Sequence, residues 1–334
     1  MNLNISGSSV DDIIAELDRR KGADASNPFL KRKSSTSSEF SYGTAFVWSR
    51  QHGVVKLGTL GGKGYSFATD INHKGEVVGF SNDRAFLWKE GAGMIDLGTL
   101  NGGYSEARGI NDRGQVVGCS GGHAFLWSEH TGMRDLGTID GQFTRAYAIN
   151  NAGMVVGDAT GSAFTWTEAS GISKIDAGVY GARAVNTLGQ VEGAKGVNPW
   201  LPITWGLSRG IVSLGSVKGP SASPGFALDL NAAGVVVGVT DWIGAGSRAF
   251  RWTAREGMAD LGNLGGHNTF AVGINSRGTI VGWGDTVYNE RRAFIWSEDT
   301  GIVDFLGVGS MAESINDRGQ VVGGLSGPPK MEEP

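Results

Sequence analysis

The residues of this sequence best suited to contacting a ligand are Trp200, Trp242, Trp283, Tyr288, Arg248, Arg291 and Arg292. They fall in or at the edge of three stretches, 194–201, 239–248 and 283–292, with one tryptophan to each. Indole faces stack on sugar rings or apolar side chains, and a guanidinium fork holds a carboxylate or phosphate. Tyr65, Tyr104 and His267, in other connecting segments, extend the aromatic set. Asp241, Asp285 and Glu290 lie in the same stretches and are acid–base candidates, provided that a closed pocket shifts one carboxyl. Arg108, Arg145, Arg183, Glu106 and Glu313 form a second charged set beside recurring apolar runs.

Other chemistry finds little support. No His-Glu-x-x-His, P-loop, Gly-x-Ser-x-Gly or dinucleotide fingerprint stands in a valid context, so no metal and no cofactor are expected. The single cysteine, Cys119, excludes an intramolecular disulfide and a multi-cysteine metal site. A net charge of −4 argues against a non-specific nucleic-acid binder. No apolar run reaches about 18 residues, the least a membrane-spanning helix requires.

The elements that must carry these residues are repeats. Three blocks recur along the 334 residues. One is Ala-Phe-x-Trp, as at Ala124 to Trp127, with a degenerate copy from Pro202 to Trp205. The second is Asp-Leu-Gly-Thr-Leu, as at Asp96 to Leu100. The third is Ala-x-x-Ile-Asn-x-x-Gly-x-Val-Val-Gly, with its asparagines at 72, 111, 150, 186, 231, 275 and 316. A period near 40 residues suits a four-stranded propeller blade or a helical repeat. The apolar runs are short, rich in Val, Ile, Phe and Trp, and bounded by glycine, which specifies strands. Asn-x-x-Gly is a tight hairpin connection, so the asparagines read as turn residues. Four strands per repeat and seven repeats predict an all-β, seven-bladed β-propeller. The repeat region opens with the last two strands of a repeat and closes with the first two, so that the termini complete one blade between them. The recurring tryptophans are expected in the core between sheets, and the recurring aspartates at 96, 135, 260 and 304 on outer edges.

His123-Ala124-Phe125-Leu126-Trp127, Leu97-Gly98-Thr99-Leu100 and the run from Ile110 to Gly118 resemble the bacterial HAF-repeat family. The resemblance covers residues 43–326. It implies a propeller and, in many relatives, an extracellular location. It carries over no catalytic residue.

Outside the repeats, residues 9–21 predict a helix, with Ser9 as N-cap, Asp11 and Asp12 in the first turn and Arg19, Arg20 and Lys21 in the last. Its apolar stripe, Val10, Ile13, Ile14 and Leu17, requires a partner, either the propeller or another protein. A Ser-rich linker completes residues 1–42, and 327–334 reads as a disordered tail. No secretory signal peptide is visible, so the expected location is cytoplasmic, or external by a leaderless route. Three functions remain open at this point. The first is a recognition propeller, not an enzyme, that binds a glycan or a protein segment on one face through loop Trp and Arg residues. The others are a lyase or hydrolase with its carboxylates at the channel mouth, and an effector or adaptor scaffold that works through its N-terminal segment.

Overall fold

The computed structural model describes residues 43–326 except 161, 176–177, 197–199, 207–209, 218–223 and 243–245, and describes Asp241 and Trp242 by backbone alone. The helix expected at 9–21, the linker and the tail at 327–334 lie outside the described residues. Seven four-stranded antiparallel sheets form the fold. The first sheet comprises Ser66–Ile71, Val77–Ser81, Arg84–Lys89 and Gly93–Asp96, here called strands A to D. Its successors begin at Ser105, Thr144, Val179, Gly225 and Gly265. The seventh has the order Gly53–Gly58, Thr44–Ser49, Val321–Leu325, Ser310–Ile315, and Trp48 pairs with Val321 across it. The A strands of adjoining sheets touch all the way round, so they surround the axis and the D strands form the rim. Antiparallel order puts the A–B and C–D hairpins on one face, the turn face. The B–C hairpins and D–A crossings emerge on the other, the crossover face.

The space between blades is filled chiefly by phenylalanine. Phe46, Phe86, Phe125, Phe164, Phe250 and Phe294, from the Ala-Phe-x-Trp block, are fully buried. The recurring tryptophans, expected to be the core, stay half-buried at its margin, Trp166 excepted. The recurring aspartates do more than blunt an edge. Asp96, Asp135 and Asp260 each accept the amide two residues on, which starts the crossing. Asp96 also pairs with Arg84, and Asp135 with His123. Gly118 shows why the third residue of each B strand is glycine: a Cβ there would lie 1.9 Å from the Glu106 carbonyl oxygen.

The recurring asparagines are buried and join every blade to the next. Each Nδ2 donates to the backbone carbonyl of the corresponding asparagine one blade further on. The series runs Asn72 to Asn111 (3.1 Å), Asn111 to Asn150 (3.1 Å), Asn150 to Asn186 (3.0 Å) and Asn186 to Asn231 (3.2 Å). It continues Asn231 to Asn275 (3.1 Å) and Asn275 to Asn316 (3.3 Å), and Asn316 returns to Asn72 (3.0 Å). The Oδ1 atom meanwhile accepts two amides of its own turn, at 152 and 154 for Asn150. Beside this circuit His73 spans two further turns, with Asp317 at 2.6 Å and Asp112 at 3.1 Å. The bond to Asp317 raises the imidazole above its ordinary pKa.

One position breaks the pattern of the core. Six B strands carry valine where they face the next blade: Val78, Val117, Val156, Val237, Val281 and Val322. The fourth carries Glu192, 1% exposed. Burial drives its carboxyl well above the usual range, and the nearby Thr204 hydroxyl offsets this only in part. A group that holds its proton in the folded state binds more protons there than when unfolded, so its effect on stability turns unfavourable as pH rises.

Two outcomes follow for stability. Asn150→Ala strips partners from two turn amides and the Asn186 carbonyl, so unfolding in urea should show a loss of about 2–4 kcal/mol. Leu188→Ala, on the exposed side of a neighbouring turn, should stay within about 0.5 kcal/mol. Glu192→Val should stabilise. Its advantage should widen by up to about 1.4 kcal/mol per pH unit above the unfolded carboxyl pKa, until the folded group itself ionises. An advantage independent of pH would mean that Glu192 is charged in the fold.

Candidate functional site

The chemistry gathers at the axis, and a backbone irregularity puts it there. In each blade strand A slips against strand B just after the alanine of Ala-x-x-Ile-Asn. The skipped residue is Thr69, Arg108, Tyr147, Leu228, Val272 or Glu313, and in the fourth blade it lies within 181–183. A β-bulge re-aims a side chain away from the pleat. Here side chains from three blades meet: the Arg183 and Arg108 guanidiniums lie 4.0 and 5.8 Å from the centre of the Tyr147 ring.

One layer nearer the crossover face, cross-strand pairs complete the lining. Blades two and three contribute Glu106 opposite Cys119 and Arg145 opposite Asp158. Arg108 and the Tyr104 hydroxyl both bind the Glu106 carboxylate. The Tyr147 hydroxyl donates to Asp158 at 3.3 Å. Asp158 stands in the field of Arg183, Arg145 and Arg108, yet burial outweighs all three and its carboxyl titrates above the usual range. Burial likewise pushes the Tyr147 phenol and the Cys119 thiol up. Cys119 is therefore a thiol at neutral pH and not an activated nucleophile.

The opposite arc is apolar. Phe226, Leu228, Phe270, Val272 and Trp283 form one buried cluster, with Trp200 and Met311 packed on it. Trp200 stacks on Tyr180 with planes 5° apart and meets Phe226 edge-on at 4.7 Å. Arg291 covers the Trp283 ring at 4.3 Å and reaches the Met311 sulfur at 3.0 Å. The mouth is thus divided, with cations and carboxylates from blades two to four and aromatic and aliphatic side chains from blades four to seven.

Several sequence candidates have other duties. Trp283 is no loop platform. It lies within strand Ile280–Thr286, paired with Phe270 and Ala293, and is 2% exposed. The expected long loop there is a prolonged hairpin, and only 287–290 connects its strands. Asp285 is buried and accepts a bond from Asn268 (2.9 Å), so it is not a solvent-facing acid. Arg292 is engaged by Asp304 (2.7 Å) and Glu290 (2.9 Å), which removes both Arg292 and Glu290 from the free set. Arg248 reaches the Gly266 carbonyl, and Tyr65 donates to Asp83. Tyr288, 82% exposed, and His267 remain on the surface. The side chains of Asp241 and Trp242 lie outside the described residues; Trp242 ends a strand opposite Gly246. Trp200, Tyr104 and Arg291 do reach the mouth.

The bulge position, and not the connecting loops, carries the residues that line the axis. Its signal was present: the first x of Ala-x-x-Ile-Asn ranges over Thr, Arg, Tyr, Leu, Val and Glu, while the second x stays small or acidic and the alanine and asparagine hold. No group of three or more metal-ligating side chains occurs among the described residues, and no described helix is long and apolar enough to cross a membrane. The burial of Trp283 has a measurable consequence. Trp283→Ala should cost about 3–5 kcal/mol in thermal or urea unfolding, whereas Tyr288→Ala should stay within about 0.5 kcal/mol.

No family model matches this chain, and no curated protein matches it. Solved structures do, at a level that establishes the fold alone. It is similar to virginiamycin B lyase from Staphylococcus aureus, with 12% identity and a TM-score of 0.55 over 78% of this chain and 95% of that one. It is similar to the WD40 β-propeller domain of Doa1, with 15% identity and a TM-score of 0.51 over 78% and 90%. A chain of the mitotic checkpoint complex gives 12% and 0.52 over 87% and 96%. A lyase, a WD40 domain and a checkpoint subunit thus share one architecture, and the function must be argued from the site.

Proposed function

We propose that this chain is a recognition propeller that takes an extended protein segment at the crossover-face mouth of its channel. The observation that carries this reading is the division of the mouth into a charged arc and an apolar arc, at positions where the repeat itself is abandoned. The framework of the repeat does not dictate the side chains there, so their chemistry can be set by a ligand. A peptide offers both kinds of group at the spacing of neighbouring residues, which suits such a mouth. A glycan is the less favoured ligand, because Trp283 is enclosed and offers no open indole face. The enzymatic alternative is weakened by the engagement of Asp285 and Glu290. We further read the composite seventh sheet as the clasp that seals the ring, the repeat as kin to the HAF family, and helix 9–21 as a docking element for the propeller or a second protein.

The test is selection from an unbiased display library of seven-residue peptides on the immobilised full-length chain, with a glycan array in parallel. Enriched peptides should bind in the micromolar range and lose at least tenfold on Trp200→Ala. An empty peptide library beside saturable glycan binding would replace this reading.

A further inference from the structure

We propose that the turn face carries a proton-operated clasp: the imidazolium of His73 joins Asp112 and Asp317, and with them five of the seven blades, and releases one side when it loses its proton. The device is independent of what the crossover face binds. It stands at the residue that follows each circuit asparagine. In blades one, two, three, six and seven that residue is His73, Asp112, Asn151, Ser276 and Asp317. The Asp112 amide donates to the Asn151 Oδ1 (2.9 Å), and the Asn151 Nδ2 donates back to the Asp112 carboxylate (2.6 Å). Asp112 also accepts the His73 amide (2.9 Å) and faces the ring Nδ1 (3.1 Å). The ring Nε2 faces Asp317 at 2.6 Å, and Asp317 accepts the Ser276 amide (2.8 Å). Thr187 and Ala232, in blades four and five, offer neither a carboxylate nor an amide side chain at this position. His73 is thus the centre of an arc that straddles the sheet completed by both ends of the repeat region.

Both ring nitrogens face carboxylate oxygens. An ionised carboxylate only accepts, and a neutral imidazole has a single N–H, so satisfying both sides requires the second proton. Neither acid can supply the missing hydrogen, because each is held below the ordinary carboxylate range. Burial opposes this at both, but bonds from Asn151 and His73 prevail at Asp112, and bonds from His73 and Ser276 prevail at Asp317. The other charges around the ring have different roles. Lys74, Arg113 and Arg318 stand in the same three turns with exposed side chains, where water and salt screen them. Glu76, in the turn of His73 itself, is held by Asn72 and paired with Lys89. Asp70 lies beneath and accepts the Ile110 amide (2.9 Å) and the Ser314 hydroxyl (2.8 Å). Burial lifts its carboxyl to about 6, which is below the window of His73.

His73 binds its proton more tightly in the fold than in the unfolded chain. Its contribution is therefore full below 6.5, the ordinary imidazole value, and is lost as pH rises through the higher folded value. The neutral ring keeps one N–H, and the other nitrogen turns a lone pair on a carboxylate. Either Asp112 or Asp317 is then released, and the arc divides at blade one.

The test is amide hydrogen exchange of the full-length chain from about pH 5.5 to 9, expressed as protection factors so that the intrinsic pH dependence of exchange cancels. The His73 ring is titrated by NMR alongside. Protection in turn 72–76 and in one flanking turn, 111–115 or 316–320, should fall about threefold as His73 loses its proton, the scale of exposed ion pairs. The flank that responds identifies the carboxylate released. His73→Gln should abolish this pH response, and Asp317→Asn should lower the imidazole pKa. A His73 ring that titrates at or below 6.5 in the wild-type chain would overturn the proposal without any variant. So would protection in turn 72–76 that ignores the titration. An equal response in His73→Gln would assign it to the buried acids, Asp70 first among them, and would also overturn the clasp.

Discussion

The circuit of asparagine side chains is the constraint on which the fold depends. Seven blades meet at an axis where their innermost strands leave turn amides and carbonyls away from water. An unpaired buried amide or carbonyl costs on the order of 1–3 kcal/mol. One residue type meets this demand completely. Its oxygen accepts two amides of its own turn and its nitrogen reaches the next blade, as that of Asn111 does to Asn150 while also donating to Gln115 in its own turn. Aspartate would lack the donor, and serine would lack the reach. Since each bond joins one blade to the next and the last returns to the first, blade number and circumference are specified at the same atoms that stabilise each turn.

This division of labour explains what the chain is free to vary. The alanine before the bulge and the asparagine after it belong to the framework. The bulge residue between them is not fixed by the repeat, because its side chain leaves the pleat and packs within the channel. Arg108, Tyr147, Leu228 and Glu313 occupy one structural position with four chemistries. A ring of this kind is a rigid mounting with seven equivalent positions, and the contrast between its arcs arises chiefly from the side chains placed there.

The period, the strand types, the number of blades and the hairpin turns were all legible in the sequence, because each is written seven times. The misreadings share a cause. A residue that departs from the repeat has no copies to identify its environment, so Trp283 looked like loop when its strand simply runs further than its equivalents. Glu192 passed unnoticed because one glutamate in a valine column carries no motif. The asparagines were recognised as turn residues, but their reach to a neighbour some 40 residues distant is a tertiary fact that local turn rules do not contain. Conversely, the bulge leaves a visible trace, a position of widely changing size and charge between a fixed alanine and a fixed asparagine.

The seventh sheet has a consequence for how the molecule is made. Its two halves stand at opposite ends of the repeat region, and the bond from Asn316 to Asn72 spans 244 residues. Bringing two points that far apart together costs roughly 5 kcal/mol in chain entropy before any contact repays it. Every other sheet is local and forms from a contiguous stretch. Ring closure is then the last and most entropically demanding event of folding, and until it occurs the strand pair 44–58 presents an open edge to solvent and to other chains. Once closed, the same topology works in reverse. No blade can detach without first breaking a neighbour's bonds on both sides, so opening the ring requires contacts at two blade junctions to be lost together.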